Sequence, residues 1–355
     1  MQAKVINEKG WALKEKQKNR PRPHHKTTLA DVAARVGVSS MTVSRALSQP
    51  GKVKPKTLEK ILVAVEELGF VPNHMASALA ANQSRIIGLS VPSLSNQVFI
   101  DVVSAVQDFF LPKGYQVIIH TYHYSGAQEY EGVQMFMRLQ VDAVILIGVD
   151  QLMETRKMLE QSGVGVVQLM DITATPLNIN IGFSQYHAGR AIAEHLFDTG
   201  ASKLAFIGAR MDSRTLRRLS GFKDVCIERE AWYPALCVTT ADKSSLVQGR
   251  VLLKKLIAKD EPFDSIFCCN DDLALGVIFE CTRANISIPS QFKLVGFNNL
   301  EFAQESVPTL TTMGTSRYDM ATKGCQVLYE QMEIGVKQEL SIEWPMKLYA
   351  RETTM

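Results

Sequence analysis

Residues 28–47 constrain the fold of this chain more than any other stretch, because their apolar residues follow two short helical patterns separated by a glycine. The stretch is TLADVAARVGVSSMTVSRAL, and its apolar residues recur at the three- and four-residue steps of a helix face. The two faces consist of Leu29, Val32, Ala33 and Val36 before Gly37, and of Val43, Ala46 and Leu47 after it. Helices this short are unstable alone, so each must bury its face against the other. The pattern therefore predicts a helix-turn-helix.

The turn and the second helix have the residues that such a unit requires. Gly37 suits the sharp turn, and Ser39 suits the cap of the second helix. The residues that then face away from the helix pair are Ser40, Met41, Ser44 and Arg45. Small polar groups and one arginine are what a helix presents when it enters the major groove of DNA. An ordinary helical hairpin in a core is the alternative that spacing alone leaves open.

Three segments make the DNA-binding interpretation more specific. They are TLADVAARVGVS at 28–39, TVSRAL at 42–47 and GFVPNHMASALA at 69–80. Together they closely resemble the DNA-binding segment of the lactose/galactose repressor family of bacterial transcription regulators. The resemblance implies a DNA-binding domain over residues 27–72. It implies DNA contacts from Thr28, Ser39, Ser40, Met41, Thr42, Ser44 and Arg45, with Arg45 as the candidate for a bidentate contact to guanine.

A third helix and a linker follow this unit. The segment TLEKILVAVEELGF predicts a helix that closes a three-helix domain and ends at Gly69. Its expected apolar face consists of Leu58, Ile61, Leu62, Val65 and Leu68. Residues 73–84 are too short and too poor in large apolar groups to form a stable helix alone. The resemblance implies a hinge helix there that orders on DNA through Asn73, Ala76 and Leu79, with Leu79 as a minor-groove wedge. A flexible tether is the alternative.

The net charge of +3 is unevenly distributed along the chain. Residues 1–82 contain 14 Lys and Arg against 6 Asp and Glu, a net of +8, whereas the remaining residues contain 25 against 30, a net of −5. A basic N-terminal part is expected of a segment that binds a polyanion. Residues 1–26 contain eight of these cations and no apolar periodicity, which predicts a disordered basic arm. The arm either adds phosphate contacts or is an extension without a function.

Composition predicts a soluble protein of the cytoplasm. The chain is 46% hydrophobic, has no run of about eighteen apolar residues, and begins without a hydrophobic signal core. We therefore expect no membrane segment. The six cysteines show no metal-ligand spacing, so we expect reduced structural thiols, no metal and no cofactor.

From residue 85 the pattern changes to short apolar runs that alternate with helical periods. Seven runs are typical of buried parallel strands, among them IIGLSVP, VDAVILIG and KLAFIGA. So many units predict an α/β core at 85–355 with two doubly wound parallel-sheet lobes. We expect lobe 1 at about 85–184 and 316–343, and lobe 2 at about 185–315 and 344–355. A ligand in this architecture binds beyond the carboxyl ends of the strands, in the cleft between the lobes.

This core resembles periplasmic sugar-binding proteins and, more closely, the effector-binding core of the same repressor family. The strongest markers are NDDLALG at 270–276, LVGFNN at 294–299 and VPTLTTM at 307–313. The expected fold is thus an N-terminal all-α helix-turn-helix domain plus a periplasmic-binding-protein-like core. Because no leucine-rich heptad tail follows the core, we expect a homodimer rather than a tail-assembled tetramer.

Nine residues are candidates for contacts to an effector in the cleft. They are Ser93, Phe99, Asp171 and Phe183 toward the first lobe, and Arg214, Arg218, Asn270, Asp271 and Asn298 from the second. Ser93 lies near a helix N-terminus, where free N–H groups favour an anion. Arg214 and Arg218 lie one turn apart and can present guanidinium groups to a carboxylate. The resemblance implies an effector contact at Arg218 and an aromatic cover at Phe183. Helix capping, core packing and a solvated helix face are the alternatives.

Two observations favour an acidic ligand. Asn298 is neutral where members of the family commonly have an aspartate, and an unpaired carboxylate beside a bound carboxylate would be costly in a dry site. The phrases PSLSNQVF, QLMD and CNDDLALG resemble the gluconate and idonate repressors of this family. We therefore expect a sugar acid such as gluconate. A neutral sugar or a corepressor is the alternative.

The expected function is a sequence-specific DNA-binding transcriptional regulator, a repressor of sugar-acid metabolism genes. A homodimer would bind a pseudo-palindromic operator, and lobe closure on the effector would change the spacing of the hinges and the affinity for DNA. The sequence leaves open whether the effector weakens or strengthens that affinity. An enzyme using Asp271, Asp272, His187 or His195 is a second class, but no nucleophile elbow, phosphate loop or metal spacing supports it. A transport binding protein is a third, which the missing signal peptide and the basic head disfavour.

Overall fold

A computed structural model describes residues 27–71 and 83–355 of the chain. The chain divides into two compact units, Met1–Ala80 and Ala81–Met355. The basic arm predicted at 1–26 lies outside the described residues. The predicted hinge contacts Asn73, Ala76 and Leu79 lie outside them as well.

Over residues 27–71, the first unit consists of helices α1 (Leu29–Val36), α2 (Ser40–Ser48) and α3 (Pro55–Glu67). Gly37 has a φ of +74°, a left-handed conformation that ends α1 and turns the chain toward α2. Ser39 caps α2 by accepting a hydrogen bond from the backbone N–H of Thr42. The helices share one small core, which consists of Val32, Ala33, Val43, Ala46, Ile61, Ala64 and Phe70. The predicted helix-turn-helix is confirmed.

The buried face of α3 differs from the predicted one. Ile61 and Ala64 are buried, whereas Leu62 is 50% exposed. The prediction that Leu62 packs in the core was wrong. The core face is centred on Ile61, and Leu62 lies one residue, or about 100°, further around the helix.

The second unit begins with a six-stranded parallel sheet. Its strands are β1 (Ile86–Val91), β2 (Gln116–Thr121), β3 (Ala143–Ile147), β4 (Gly165–Leu169), β5 (Ile179–Gly182) and β11 (Leu340–Glu343), in the spatial order β11-β5-β4-β3-β1-β2. Its flanking helices are α4 (Ile100–Phe110), α5 (Gly126–Arg138), α6 (Met153–Ser162) and α12 (Arg317–Ile334). Alternate residues of β3 pack on opposite sides: Ile145 joins the cluster of α4 and α12, and Val144 joins that of α5 and α6.

A second six-stranded sheet forms the other lobe. Its strands are β6 (Leu204–Ala209), β7 (Cys237–Thr240), β8 (Ser265–Cys268), β9 (Lys293–Phe297), β10 (Thr311–Gly314) and β12 (Lys347–Tyr349), in the order β12-β10-β9-β8-β6-β7. The strands are parallel except β12, which pairs antiparallel with β10. The helices of this lobe are α7 (Gln185–Asp198), α8 (Ser213–Glu228), α9 (Leu246–Ile257), α10 (Asp271–Ala284) and α11 (Glu301–Glu305).

Close backbone packing fixes the position of α8. A Cβ atom on Gly189 of α7 would lie 2.0 Å from the backbone oxygen of Arg218, and one on Gly221 of α8 would lie 2.0 Å from that of Tyr186. Only glycine permits this approach. The arginines of α8 are therefore presented from a helix that cannot shift easily against its neighbour.

The chain passes between the two sheets after β5, after β10 and after β11. The helix α12 returns the chain to the first lobe. The strands β5, β7, β10 and β11 were not predicted. Each contains four residues with polar side chains among them, so none shows a continuous apolar run.

All six cysteines are free, and all but Cys237 are buried. Burial raises the pKa of the Cys226 thiol to about 12, which keeps it protonated and unreactive. Within residues 27–71 and 83–355, no helix has the length and apolar character to cross a membrane.

Candidate functional site

The face of α2 that the sequence assigned to DNA is exposed. Met41 is 71% exposed, and Ser40, Ser44 and Arg45 are also exposed. Arg45 forms no salt bridge with any residue that the structure describes, whereas Arg35 is paired with a glutamate at 2.8 Å. A guanidinium group without a protein partner is available for a base edge or a phosphate.

Two of the predicted DNA contacts, Thr28 and Ser39, also cap helices, and a third, Thr42, bonds to one of these caps. The Thr28 hydroxyl accepts a hydrogen bond from the Asp31 N–H, and the Asp31 carboxylate accepts one from the Thr28 N–H at 2.8 Å. The hydroxyl oxygens of Ser39 and Thr42 lie 2.9 Å apart at the start of α2. These side chains hold the N-termini of α1 and α2, and their contacts to DNA stay a prediction.

A cavity of about 620 Å³ lies between the two lobes of the second unit. Its lining residues follow β1, β2, β4 and β5 in the first lobe and β6, β7, β8 and β9 in the second, so it opens at the carboxyl ends of both sheets. Seven of the nine candidate effector contacts line it: Ser93, Phe99, Phe183, Arg214, Arg218, Asn270 and Asn298. The structure thus brings together residues that are more than 200 positions apart in the sequence.

Arg218 is the most deeply placed cation of the cavity. It is 9% exposed, and its guanidinium carbon lies 4.0 Å from the centroid of the Phe297 ring. One Nη donates to the backbone oxygen of Cys269, while Nε is buried and has no hydrogen-bond partner among the residues that the structure describes. Burial lowers the pKa of Arg218, and the carboxylates of Asp212 and Asp171 offset this only in part, since neither forms a salt bridge with it in the described part of the chain. The group therefore lacks an anion.

Arg214 is compensated within the protein. Its guanidinium donates to Asp212 at 3.1 Å, and it faces the rings of Phe99 and Tyr124 at 5.7 and 5.9 Å. Burial alone would lower the pKa of Arg214, but Asp212 outweighs it, so the pKa lies above the ordinary value. Burial would raise the pKa of Asp212, but Arg214 and the Thr215 N–H outweigh it and hold that pKa at about 2. This pair is fully ionised at neutral pH.

Polar groups surround the two arginines. Asn270 caps α10 and accepts hydrogen bonds from the Leu273 N–H and the Ser244 hydroxyl. Asn298, at the end of β9, has a φ of +115°, which is an unusual backbone conformation for a residue other than glycine. Gln185 donates to the backbone oxygen of Met170, and its own Oε1 is buried without a partner. These amides can bind hydroxyl groups of a ligand.

Two predicted contacts, Asp171 and Asp271, are not among the residues that line the cavity. The Asp271 carboxylate accepts from the Thr312 hydroxyl at 2.6 Å and from the Leu300 N–H at 2.8 Å. Its neighbour Asp272 lines the cavity instead, because successive residues at the start of a helix point in different directions. Asp271 therefore ties α10 to β10 and α11, which gives it a structural role.

Asp171 pairs across the cleft with Arg217, a residue that sequence reasoning missed. Arg217 also bonds Asp150, at 3.0 Å, so one guanidinium of the second lobe holds two carboxylates of the first. The Ser213 hydroxyl donates to Asp150 as well. The Arg-Arg dipeptide at 217–218 was the available signal, but sequence alone did not show that its members point to different partners.

Arg317 links the lobes at a second point. Its guanidinium lies 2.8 Å from Asp101 of α4 and donates to the backbone oxygen of Asn298 at the end of β9. The side chain is 9% exposed. Charged side chains therefore join the lobes at two points.

The lining of the cavity is cationic. It contains four cations against two carboxylates, a formal net charge of +2; these residues are Arg210, Arg214, Arg218, Lys243, Asp212 and Asp272. Desolvation strengthens electrostatic interactions in such a cleft. The charge of the lining is therefore complementary to an anionic ligand.

The residues considered for catalysis do not converge. His187 lies 3.8 Å from Glu343 on the surface, and the Nε2 of His195 contacts the Thr354 hydroxyl at 3.0 Å. Neither histidine lines the cavity. Among residues 27–71 and 83–355 there is no cluster of His, Cys, Asp and Glu that could hold a metal ion.

Comparison with known proteins identifies the family. Residues 28–73 match the model of the bacterial regulatory proteins of the lacI family, and residues 193–354 match the periplasmic binding protein-like domain. The chain is 36% identical to the HTH-type transcriptional regulator GntR of Pseudomonas aeruginosa, over 92% of this chain and 95% of that protein. It is 28% identical to the HTH-type transcriptional regulator IdnR of Escherichia coli K12, over 93% and 99% of the two chains.

A crystal structure of a LacI family transcriptional regulator from Silicibacter pomeroyi has the same architecture. It superposes with a TM-score of 0.86 and 29% identity, over 92% of this chain and 99% of that one. The helix-turn-helix head, the two-lobed core and these similarities lead to one conclusion. The chain belongs to the lacI family of bacterial DNA-binding transcriptional regulators.

Proposed function

We propose that this regulator binds a sugar acid such as gluconate between the lobes of its core, and that this binding controls its affinity for operator DNA. The observation that carries the proposal is Arg218, a buried guanidinium with an unpartnered Nε in a cavity of net positive charge. A carboxylate is the group that satisfies such a cation, because it accepts two parallel hydrogen bonds and neutralises the charge.

The remaining lining suits the hydroxyl groups of the same ligand. Asn270, Asn298 and Ser93 offer amide and hydroxyl groups, and Gln185 offers an acceptor that has no partner. Phe183 and Phe297 supply apolar surface with ring centroids 6.4 Å apart. A hydroxylated chain with one charged end matches this distribution of charge, polarity and apolar surface.

Sequence similarity points to the same ligand class. The phrases that resemble gluconate and idonate repressors contain cavity residues, and the compared relatives are named GntR and IdnR. Asn298 replaces the carboxylate that would repel an acidic ligand. A neutral sugar is the competing ligand, and it would leave Arg218 without an anion.

We propose that a homodimer places two copies of α2 in successive major grooves of a pseudo-palindromic operator. Arg45 would contact guanine, and Ser40 and Met41 would set the remaining base preference. The effector changes operator affinity if the two states of lobe closure differ in their affinity for the effector. A coupling of about 1–3 kcal/mol corresponds to a change of roughly 5- to 150-fold in operator affinity.

The test is fluorescence anisotropy of the protein with labelled duplexes from its own chromosomal neighbourhood, with and without gluconate. Ribose and glucose serve as neutral ligands. Arg218→Met is the test variant, and Arg229→Met is the matched control, because Arg229 stacks on Phe197 far from the cavity lining. We expect gluconate to shift the binding curve of the wild type and the control but not that of Arg218→Met. A response to a neutral sugar alone would reject the sugar-acid assignment. Failure to bind any of the duplexes specifically would reject the proposed control of operator DNA.

A further inference from the structure

We propose that the cavity contains a second anion subsite, formed by Arg210 and Lys243 at its rim, and that the preferred ligand is an acyclic sugar acid with an anionic group at each end. This inference rests on the proposed function, since it extends the site of Arg218. A single carboxylate neutralises only one of the two excess positive charges of the lining. The remaining charge favours a second anionic group.

Arg210 is a cation without a carboxylate partner in the part of the chain that the structure describes. Its guanidinium carbon lies 3.7 Å from the centroid of the Tyr124 ring, which belongs to the opposite lobe. Arg214 faces the same ring at 5.9 Å, but Asp212 neutralises it. Stacking fixes the plane of the Arg210 guanidinium and leaves its edge, with the N–H donors, free for a ligand.

The backbone holds Arg210 at the cavity in an unfavourable conformation. Arg210 and Met211 have φ values of +65° and +46°, and two successive residues other than glycine rarely adopt the left-handed region. Such conformations concentrate at ligand sites, where the surrounding structure maintains them. Here the Arg210 N–H donates to the backbone oxygen of Asp242 at 2.8 Å.

That hydrogen bond also places Lys243 next to Arg210, since it joins the loops that follow β6 and β7. The carboxylate of Asp242 is turned to Thr240 and Gln248, and it does not line the cavity. Lys243 is exposed and is followed by the N-terminus of α9, where Ser244 and Ser245 line the cavity. Two cations beside the free N–H groups of a 12-residue helix form a site suited to phosphate or carboxylate.

The two subsites are separated along the sheet of the second lobe. Arg218 stacks on Phe297, the last residue of β9, whereas Lys243 follows β7, three strands away in the order β9-β8-β6-β7. At roughly 4.8 Å per strand, these points of the backbone lie about 14 Å apart. Arg210 follows β6, which is two strands from β9, or about 10 Å at the same spacing. A gap of this size, spanned in part by the long arginine and lysine side chains, suits an extended six-carbon acid with two charged ends.

The test is isothermal titration calorimetry of the full-length protein with gluconate, 6-phosphogluconate and glucarate. Gluconate has no second anionic group, 6-phosphogluconate has a terminal phosphate, and glucarate has a second carboxylate. The variants are Arg210→Met and Lys243→Met, with Arg229→Met as the matched control. Because Lys243 is exposed, its replacement does not disturb the core, and gluconate binding reports that each variant is folded.

We expect at least one two-ended ligand to bind about tenfold or more tightly than gluconate, the factor of one charge-assisted hydrogen bond. Arg210→Met and Lys243→Met should each weaken binding of the two-ended ligand more than binding of gluconate and so reduce that preference, while the control keeps the preference. Whether phosphate or carboxylate gives the larger gain identifies the second group. Binding of gluconate with equal or weaker binding of both two-ended ligands would overturn the second subsite and leave the proposed function intact. No binding of any of the three ligands would reject both.

Discussion

Replacing Arg218 by methionine should separate ligand binding from stability, because the ligand-free protein keeps this cation buried without an anion. The side chain is 9% exposed, and it has no salt bridge within the described residues. Replacement of buried charges by well-packed apolar groups of similar size is neutral or stabilises a protein by about 1–4 kcal/mol. Loss of the hydrogen bond to the Cys269 oxygen costs about 1 kcal/mol. The net change in the free energy of unfolding should therefore lie between about −1 and +3 kcal/mol.

The same substitution should remove most of the affinity for a sugar acid. Hydrogen bonds to a charged group contribute about 1.5–3 kcal/mol, which corresponds to binding that is roughly 10- to 150-fold weaker. Methionine has a similar length and can still pack on Phe297. The loss of affinity would then report the charge rather than the shape of the site.

Arg214→Met is the matched comparison and should destabilise the ligand-free protein. It leaves Asp212 without its guanidinium partner, and the folded-state pKa of about 2 lies below the ordinary value of 3.8. A depressed carboxylate pKa stabilises the folded state above the ordinary pKa, and this contribution is lost as the pH falls through about 2. At neutral pH we expect Arg214→Met to lower the free energy of unfolding by about 1–2 kcal/mol.

Urea unfolding followed by circular dichroism, at neutral pH with and without gluconate, measures both effects. The wild type should gain about 2.7 kcal/mol at a ligand concentration of 100 times the dissociation constant, and Arg218→Met should gain far less at that concentration. The reasoning would be refuted if Arg218→Met destabilised the ligand-free protein as much as Arg214→Met does. It would also be refuted if Arg218→Met bound gluconate like the wild type.

Three further predictions concern other parts of the molecule. Arg45→Ala should weaken operator binding by about 1–3 kcal/mol and relax the preference for guanine, whereas the control Arg35→Ala should leave that preference unchanged. Anisotropy with duplexes changed at single base pairs measures both effects. Burial raises the pKa of Glu129 from its ordinary value of 4.5 to about 7, so the free energy of unfolding should fall as the pH rises through this range. Between pH 5.5 and 8 the wild type should lose about 2 kcal/mol that Glu129→Gln retains. Parallel pH profiles of the two proteins would contradict this prediction. Arg217→Met removes two ion pairs across the cleft, one with the half-exposed Asp150 and one with the buried Asp171. We expect effector binding to weaken by at least about fivefold, with a larger radius of gyration in small-angle scattering; unchanged values of both would exclude a role in lobe closure.

The sequence by itself determined the local and repetitive features of this protein. The helix-turn-helix follows from the spacing of apolar residues around Gly37, and the longer strands follow from continuous apolar runs such as that of β3. Both depend on periodicity within some twenty residues, which a sequence displays directly. The basic head and the family resemblance led from there to a DNA-binding regulator with a two-lobed core.

Only the tertiary structure decided which charged groups of the cleft face the ligand and which face each other. Arg217 and Arg218 are adjacent in sequence, but one pairs with Asp150 and Asp171 across the cleft and the other remains without an anion. Asp271 likewise bonds Thr312, 41 positions away, rather than the cavity. The reason is physical: the pairing of a charge depends on distances between loops from eight different strands, and these distances exist only after both sheets have formed.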